Sequence, residues 1–186
     1  MKKLFYILSF CIFLFGFQEV EDCGKNRWDV KTLTDVNASK VKMKPIKTTI
    51  DSLRCVKVIN KISANTPRFS TEFYTFQITC GIREYINEAD GDIHLVLYDL
   101  KDTNKTFVAE IPDPNCKEVK GSKYELKYKQ CRDEVEKWKL PKGKIQKGTY
   151  RLTGVMFFDK LHGVSGAPQN GGELHPLLSI KQVNIF

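Results

Sequence analysis

The side chains able to do chemistry gather in two places. Gly154 to Ile180 reads GVMFFDKLHGVSGAPQNGGELHPLLSI and holds two of the three histidines, His162 and His175, with Asp159, Asn170 and Glu173. The third histidine, His94, ends a second polar knot, Asp90-Gly91-Asp92-Ile93-His94. Three chemical readings compete. In one, His94, His162 and His175 with a carboxylate bind a divalent metal that activates water. In another, a histidine–carboxylate pair drawn from His94, His162, His175 and Glu173 acts as a general base without metal. In the third, Asp92, His94, Asp159, His162, Asn170, Glu173 and His175 hold a loop or a ligand that does not react. No His-Glu-x-x-His, Walker, Gly-x-Ser-x-Gly or dinucleotide fingerprint occurs, so the spacing names no reaction.

Both knots sit at strand ends. Glu72 to Ile86 is long, β-branched and aromatic, with Tyr74, Phe76, Ile78 and Cys80 on its core face and Gly81 free to form a bulge. Asn87 to Gly91 carries an Asp-Gly hairpin signal. In the next strand, Asp92 to Asp99, Ile93, Leu95 and Leu97 share one face. Asp92, His94, Val96 and Tyr98 share the other, so His94 is expected beside Asp92 and away from the buried leucines. Thr106 to Ile111 is a third strand, ended by Pro112. Ser122 is placed to cap a helix, with Glu125 completing a capping box. Tyr124, Tyr128, Cys131, Val135 and Trp138 form its apolar stripe, and Leu140 to Gly143 stops it. Gly148 to Phe158 and Glu173 to Ile185 are strands four and five.

That order predicts a mainly β fold: a five-stranded OB-like barrel with one helix between strands three and four. A β-sandwich and an SH3-like barrel are the alternatives. In an OB barrel the ligand lies between the loop joining strands one and two and the loop joining strands four and five. Here those loops are 87–91 and 159–172, which brings all three histidines to one side.

The N-terminus bears on compartment. Lys2 and Lys3 precede a nearly unbroken apolar run from Leu4 to Phe17, too short to span a bilayer comfortably and suited to a signal peptide over residues 1–18. The chain is therefore expected to be secreted or periplasmic, with no further transmembrane segment. Residues 19–66 read as an arm with little apolar content of its own, packed on a barrel domain of residues 67–186 through Trp28, Val30 and Leu33. The formal charge is +8, and loss of residues 1–18 removes two lysines and no acid, leaving +6. The lysines are spread along the chain, so weak polyanion binding is the most this charge implies. Of six cysteines, Cys11 leaves with the leader; an exported chain can form disulfides among the other five, of which at least one stays free or joins another molecule. No Cys-x-x-Cys occurs, which removes zinc-ribbon and thioredoxin-type chemistry. Cys80, in mid-strand, reads as a small buried apolar residue.

The segments CGKNRWDVKTLTD, DGDIHLVLYD, FVAEIPDPNC and LTGVMFFDKLHGVSGAPQNGGELHPLLSI together resemble a widespread group of small exported bacterial proteins. The resemblance covers residues 23–180 and brings no catalytic assignment. It implies a disulfide between Cys23 and Cys116, because the group carries a cysteine in the first segment and another after the Glu-Ile-Pro segment. Gly172 stands where the group usually has an aliphatic residue. The function expected is an exported binding module with its cleft between loops 87–91 and 159–172, for an unknown ligand, with a polyanion as the candidate class. The alternative is a metal-dependent hydrolase of the phosphodiesterase or nuclease kind.

Overall fold

A computed structural model of the chain describes residues 23–57, 61–138, 146–161 and 163–184. The expected leader, the helix stop at 140–143, His162 and Ile185, the last residue of strand five, lie outside the described residues. The fold is mainly β, with six strands in one sheet: β1 (Lys42–Lys47), β2 (Tyr74–Asn87), β3 (Ile93–Tyr98), β4 (Thr106–Ile111), β5 (Gln146–Phe158) and β6 (Gly172–Val183). Their order is β1-β2-β3-β4-β6-β5, and β2 also pairs with β5.

The long strand β2 makes this possible. Its second half, from Gly81 to Asn87, pairs with β3, and the stretch from Thr75 to Ile82 pairs with β5. The change of partner falls at Gly81. A Cβ there would lie 1.9 Å from Cζ of Tyr98, so the Tyr98 ring crosses the backbone where only glycine leaves room. The sheet is not a clean barrel. β4 and β6 run parallel and meet over two residue pairs, Val108 with Glu173 and Ala109 with Leu174.

The expected count of five strands is short by one. β1 comes from the arm and adds in parallel to the edge of β2. None of its six residues is buried, so it has no alternation of apolar and polar positions to betray it. From its β-branched residues, Met43 to Leu53 reads as one extended stretch, and β1 accounts for its first part. Ile50–Arg54 is instead a short helix, α2, because the Thr49 hydroxyl accepts from Ser52 N at 3.1 Å and caps it, while Ile50 and Leu53 face inward together.

The long helix (α3, Glu125–Glu136) buries Tyr128, Cys131 and Val135 against β6 and β4. Its expected cap is corrected: the N-cap position is Tyr124, with no side-chain cap, the Ser122 hydroxyl has no hydrogen-bond partner, and Glu125 reaches back to Gly121 N. The Tyr128 hydroxyl donates to Thr32 O at 2.8 Å and ties the helix to the arm. Cys80 is fully buried and its thiol is pushed up by burial.

Three further contacts fasten the arm. A four-residue helix, α1 (Trp28–Lys31), follows Arg27, whose φ of 62° is left-handed. Arg27 is buried, donates to Glu72 Oε1 at 2.9 Å, and lies 4.6 Å from the centre of the Phe157 ring. Glu72, also buried, accepts from the backbone of Phe69 and Phe158, at 2.8 and 2.9 Å. Arg68 pairs with Asp35 at 2.6 Å. The third fastening is the Cys23–Cys116 disulfide, with Cα atoms 5.8 Å apart, as the resemblance implies. Val30 and Leu33 are buried and Trp28 half-buried against the core.

Candidate functional site

The site centres on Glu110, a residue without a place in the sequence-based constellation. On β4 it lies directly across from His94 on β3. His94 Nδ1 is 2.9 Å from Glu110 Oε1 and His94 Nε2 is 3.0 Å from Ser165 O. A carbonyl only accepts, so Nε2 carries hydrogen and donates. β6 brings the second imidazole alongside. His175 Nδ1 is 2.9 Å from Glu110 Oε2 and 3.2 Å from Glu173 Oε1. Its Nε2 is 3.4 Å from Asp92 Oδ2, and neither of those two atoms has a hydrogen-bond partner. The other Asp92 oxygen accepts from Asp113 N at 2.9 Å. Glu110 therefore bridges two imidazoles through its two oxygens.

His94 was expected on a less apolar face, apart from the leucines. It is instead fully buried. The reason is the loop after β5, which folds back over that face of β3. Gly166 in this loop has φ +77° and sits so close to Val96 that a Cβ would lie 2.5 Å from a valine methyl.

Burial and charge together set the protonation of the cluster. Burial disfavours the charged form of His175, but hydrogen bonds to Glu110 and Glu173 outweigh it and raise its pKa to about 10. His94 is raised for the same reasons, with Glu110 as its main partner. Burial would raise Glu110, yet the two imidazolium donors hold it well below the ordinary carboxylate range. Asp92 and Glu173 go the other way: burial first, and the neighbouring carboxylates next, push each to about 7. Two buried carboxyl groups thus titrate near neutrality beside His175, which stays charged there. At neutral pH His175 is a poor base, and Glu173 is the better-poised acid–base group.

A cavity of about 330 Å³ opens between the 87–91 hairpin, the 159–172 loop and residues 23–26 of the arm. Lys31, Glu88, His94, Glu110, Asp159 and Glu173 face it. Lys31 is buried, and although burial lowers its pKa, Glu173, Glu110, Asp159 and Asp92 more than compensate and raise it. Its ammonium lies 3.3 Å from Asp159 Oδ2 and 5.3 Å from the centre of the Phe157 ring.

Of the residues expected at the site, His94, Glu173 and Asp159 reach the cavity wall. Asp92 and His175 stand behind it in the buried cluster. Asn170 does another job: its amide donates to Leu53 O and Val56 O at 2.9 and 3.0 Å, and its oxygen accepts from Gly172 N at 3.0 Å. It pins the loop to α2. His162 is outside the described residues. Sequence reasoning missed Glu110, Glu88 and Lys31. Glu110 left a signal, a lone charge inside the apolar run Phe107-Val108-Ala109-Glu110-Ile111, where an unpartnered carboxylate would be costly. Lys31, on an arm helix of four residues, left none.

Comparisons with protein-family models, with curated proteins and with solved structures return no match. Among the described residues no helix is long and apolar enough to cross a membrane.

Proposed function

We propose that the protein is an exported binding module, built on an OB-like barrel of β2 to β6, that holds a small polar ligand in the cavity between loops 87–91 and 159–172. The barrel reading is supported by the pairings β2-β3-β4-β6-β5-β2, which return to their start with β4 and β6 parallel. Export is supported by the apolar leader sequence and by a disulfide that suits an oxidising compartment. One observation carries the ligand site: the cavity lies between the two loops at which an OB barrel binds, and charged side chains of both signs project among the apolar residues of its wall. Five carboxylates, Glu88, Asp90, Glu110, Asp159 and Glu173, line it with three lysines, Lys25, Lys31 and Lys160, and His94. That small acidic excess favours a ligand with an amine group and disfavours a polyanion inside the cleft. Weak polyanion binding would fall to surface lysines such as Lys40, Lys44 and Lys47.

The test is thermal unfolding with a panel of polyamines, amino acids and mononucleotides. A ligand at about 100 times its Kd stabilises by about 2.7 kcal/mol. For a chain of this size that raises Tm by about 5–11 °C. Amine-bearing members should produce the shift, and Val108→Phe, which fills the cavity, should remove it. No shift from any member, or an equal shift in Val108→Phe, overturns the reading. A second reading, a metal-dependent hydrolase of phosphodiesters, has one observation in its favour: an imidazole flanked by two carboxylates on the cavity wall. It requires release of p-nitrophenol from bis(p-nitrophenyl) phosphate in the presence of Zn²⁺ or Mn²⁺, and none from His94→Ala.

A further inference from the structure

We propose that Glu88, His94 and Glu110 form a binding site for one divalent transition cation of the Zn²⁺ or Mn²⁺ kind, at the inner wall of the cavity. The inference deepens the reading of this cavity as a ligand site and rests on it.

The donor atoms converge at coordination distances. His94 Nδ1 is 2.9 Å from Glu110 Oε1 and 3.5 Å from Glu88 Oε1, and all three donors lie within 4.8 Å of one another. A cation with ligand bonds of about 2.0–2.2 Å places adjacent donors about 2.9–3.6 Å apart in octahedral or tetrahedral geometry. The two measured separations fall in that span before any side chain adjusts.

The imidazole is also presented the right way round. His94 Nε2 gives its hydrogen to Ser165 O at 3.0 Å, which leaves Nδ1 as the nitrogen that can offer a lone pair. Metal-ligating histidines are oriented in this manner, by a hydrogen bond from the second ring nitrogen to a carbonyl or carboxylate. On binding, the cation takes the place of the Nδ1 hydrogen, which leaves to solvent. Glu110 is steadied in turn, because His175 holds its other oxygen at 2.9 Å.

Access separates this triple from its neighbour. Asp92, Glu110 and His175 also converge, but all three are buried and Asp92 and His175 do not reach the cavity. In the proposed site, the Glu88 side chain keeps 31 % of its surface exposed and all three residues line the cavity. Three protein ligands with the remaining positions facing open space match a site that keeps room for water or a ligand atom. One imidazole and two carboxylates suit Zn²⁺ or Mn²⁺ better than a soft cation that seeks thiolates.

The experiment is calorimetric titration of the full chain with Zn²⁺ and with Mn²⁺, in a Cys55→Ser background that removes the exposed thiol. One cation per chain is expected. Glu88→Gln, which lies at the cavity rim and keeps its size, should weaken binding by at least about 10-fold. His94→Gln should abolish it, with circular dichroism confirming the fold of both variants. Failure of either cation to bind at one per chain, or binding that Glu88→Gln leaves unchanged, overturns the site. The underlying reading fails separately. If amine probes still shift Tm and Val108→Phe blocks them, while no cation binds, the cation site falls and the cavity stands.

Discussion

Replacing Glu110 by glutamine tests the whole electrostatic account of the cluster. The carboxylate accepts from His94 and His175 at 2.9 Å each, deep in the fold. Glutamine keeps one acceptor, turns a donor against the other imidazole and removes the charge that offsets both. Removing one partner of a buried ion pair costs about 3–5 kcal/mol. Glu173 and Asp92, each with a pKa of about 7, are largely neutral near pH 5.5 and do not replace the lost charge, so about 3–5 kcal/mol is expected. For a chain of this length that lowers Tm by about 6–20 °C. The pH dependence follows from the shifts. His175 has a folded pKa of about 10, above its ordinary 6.5, so its contribution is complete below 6.5 and lost as pH rises through about 10. Glu110 is held below its ordinary 4.5, so its contribution is complete above 4.5 and lost as pH falls through the folded value. The mutation should therefore cost most between 4.5 and 6.5 and progressively less towards pH 10. The assay is urea unfolding of both proteins across this range, with a chelator present so that no cation stands in for the lost charge. A cost below about 1 kcal/mol near pH 5.5, within the net worth of an ordinary hydrogen bond, would refute the reasoning. So would a cost that grows from there to pH 10.

Arg27→Met should cost about 3–5 kcal/mol in the same assay, because it leaves Glu72 buried without its cation; a loss under about 1 kcal/mol would mean the arm is not held there. A Cys23→Ser/Cys116→Ser variant opens a cross-link that spans 93 residues, and chain entropy puts its loss at about 4–5 kcal/mol. Its Tm should fall accordingly, and an unchanged Tm would count against the bridge. Gly166→Ala forces a side chain into left-handed backbone and against Val96, with an expected cost of about 1–3 kcal/mol. Adding Val96→Ala should recover the steric part alone, and no recovery would show that the loop does not seat on β3.

Much of the frame was legible because its signals are local. Pro112 ends a strand where β4 ends, and Tyr128, Cys131 and Val135 recur on the buried side of α3. Residues Asp92, His94, Glu173 and His175 were legible as polar groups at strand ends. The misses have physical causes. β1 was legible as extended chain but not as a member of the sheet, because an edge strand that buries nothing needs no apolar alternation. The Ser122 cap fails because Glu125 bonds Gly121 N while the Ser122 hydroxyl makes no bond. His94 was placed on a less apolar face because strand parity cannot say what will cover that face.

The amino-acid sequence alone therefore determined the strand and helix periods, the glycine that interrupts β2 and the inventory of ionisable groups, all of which depend on residues a few positions apart. Tertiary structure alone decided what those groups do. Glu110 becomes the hub because the β3–β4 register sets it opposite His94 while the parallel β4–β6 contact brings His175 to its other oxygen. Lys31 enters the cavity because the disulfide and the Arg27–Glu72 pair lay the arm across it. Protonation follows from the same packing, since charges leave water together there and each one's pKa depends on neighbours that are remote in the chain.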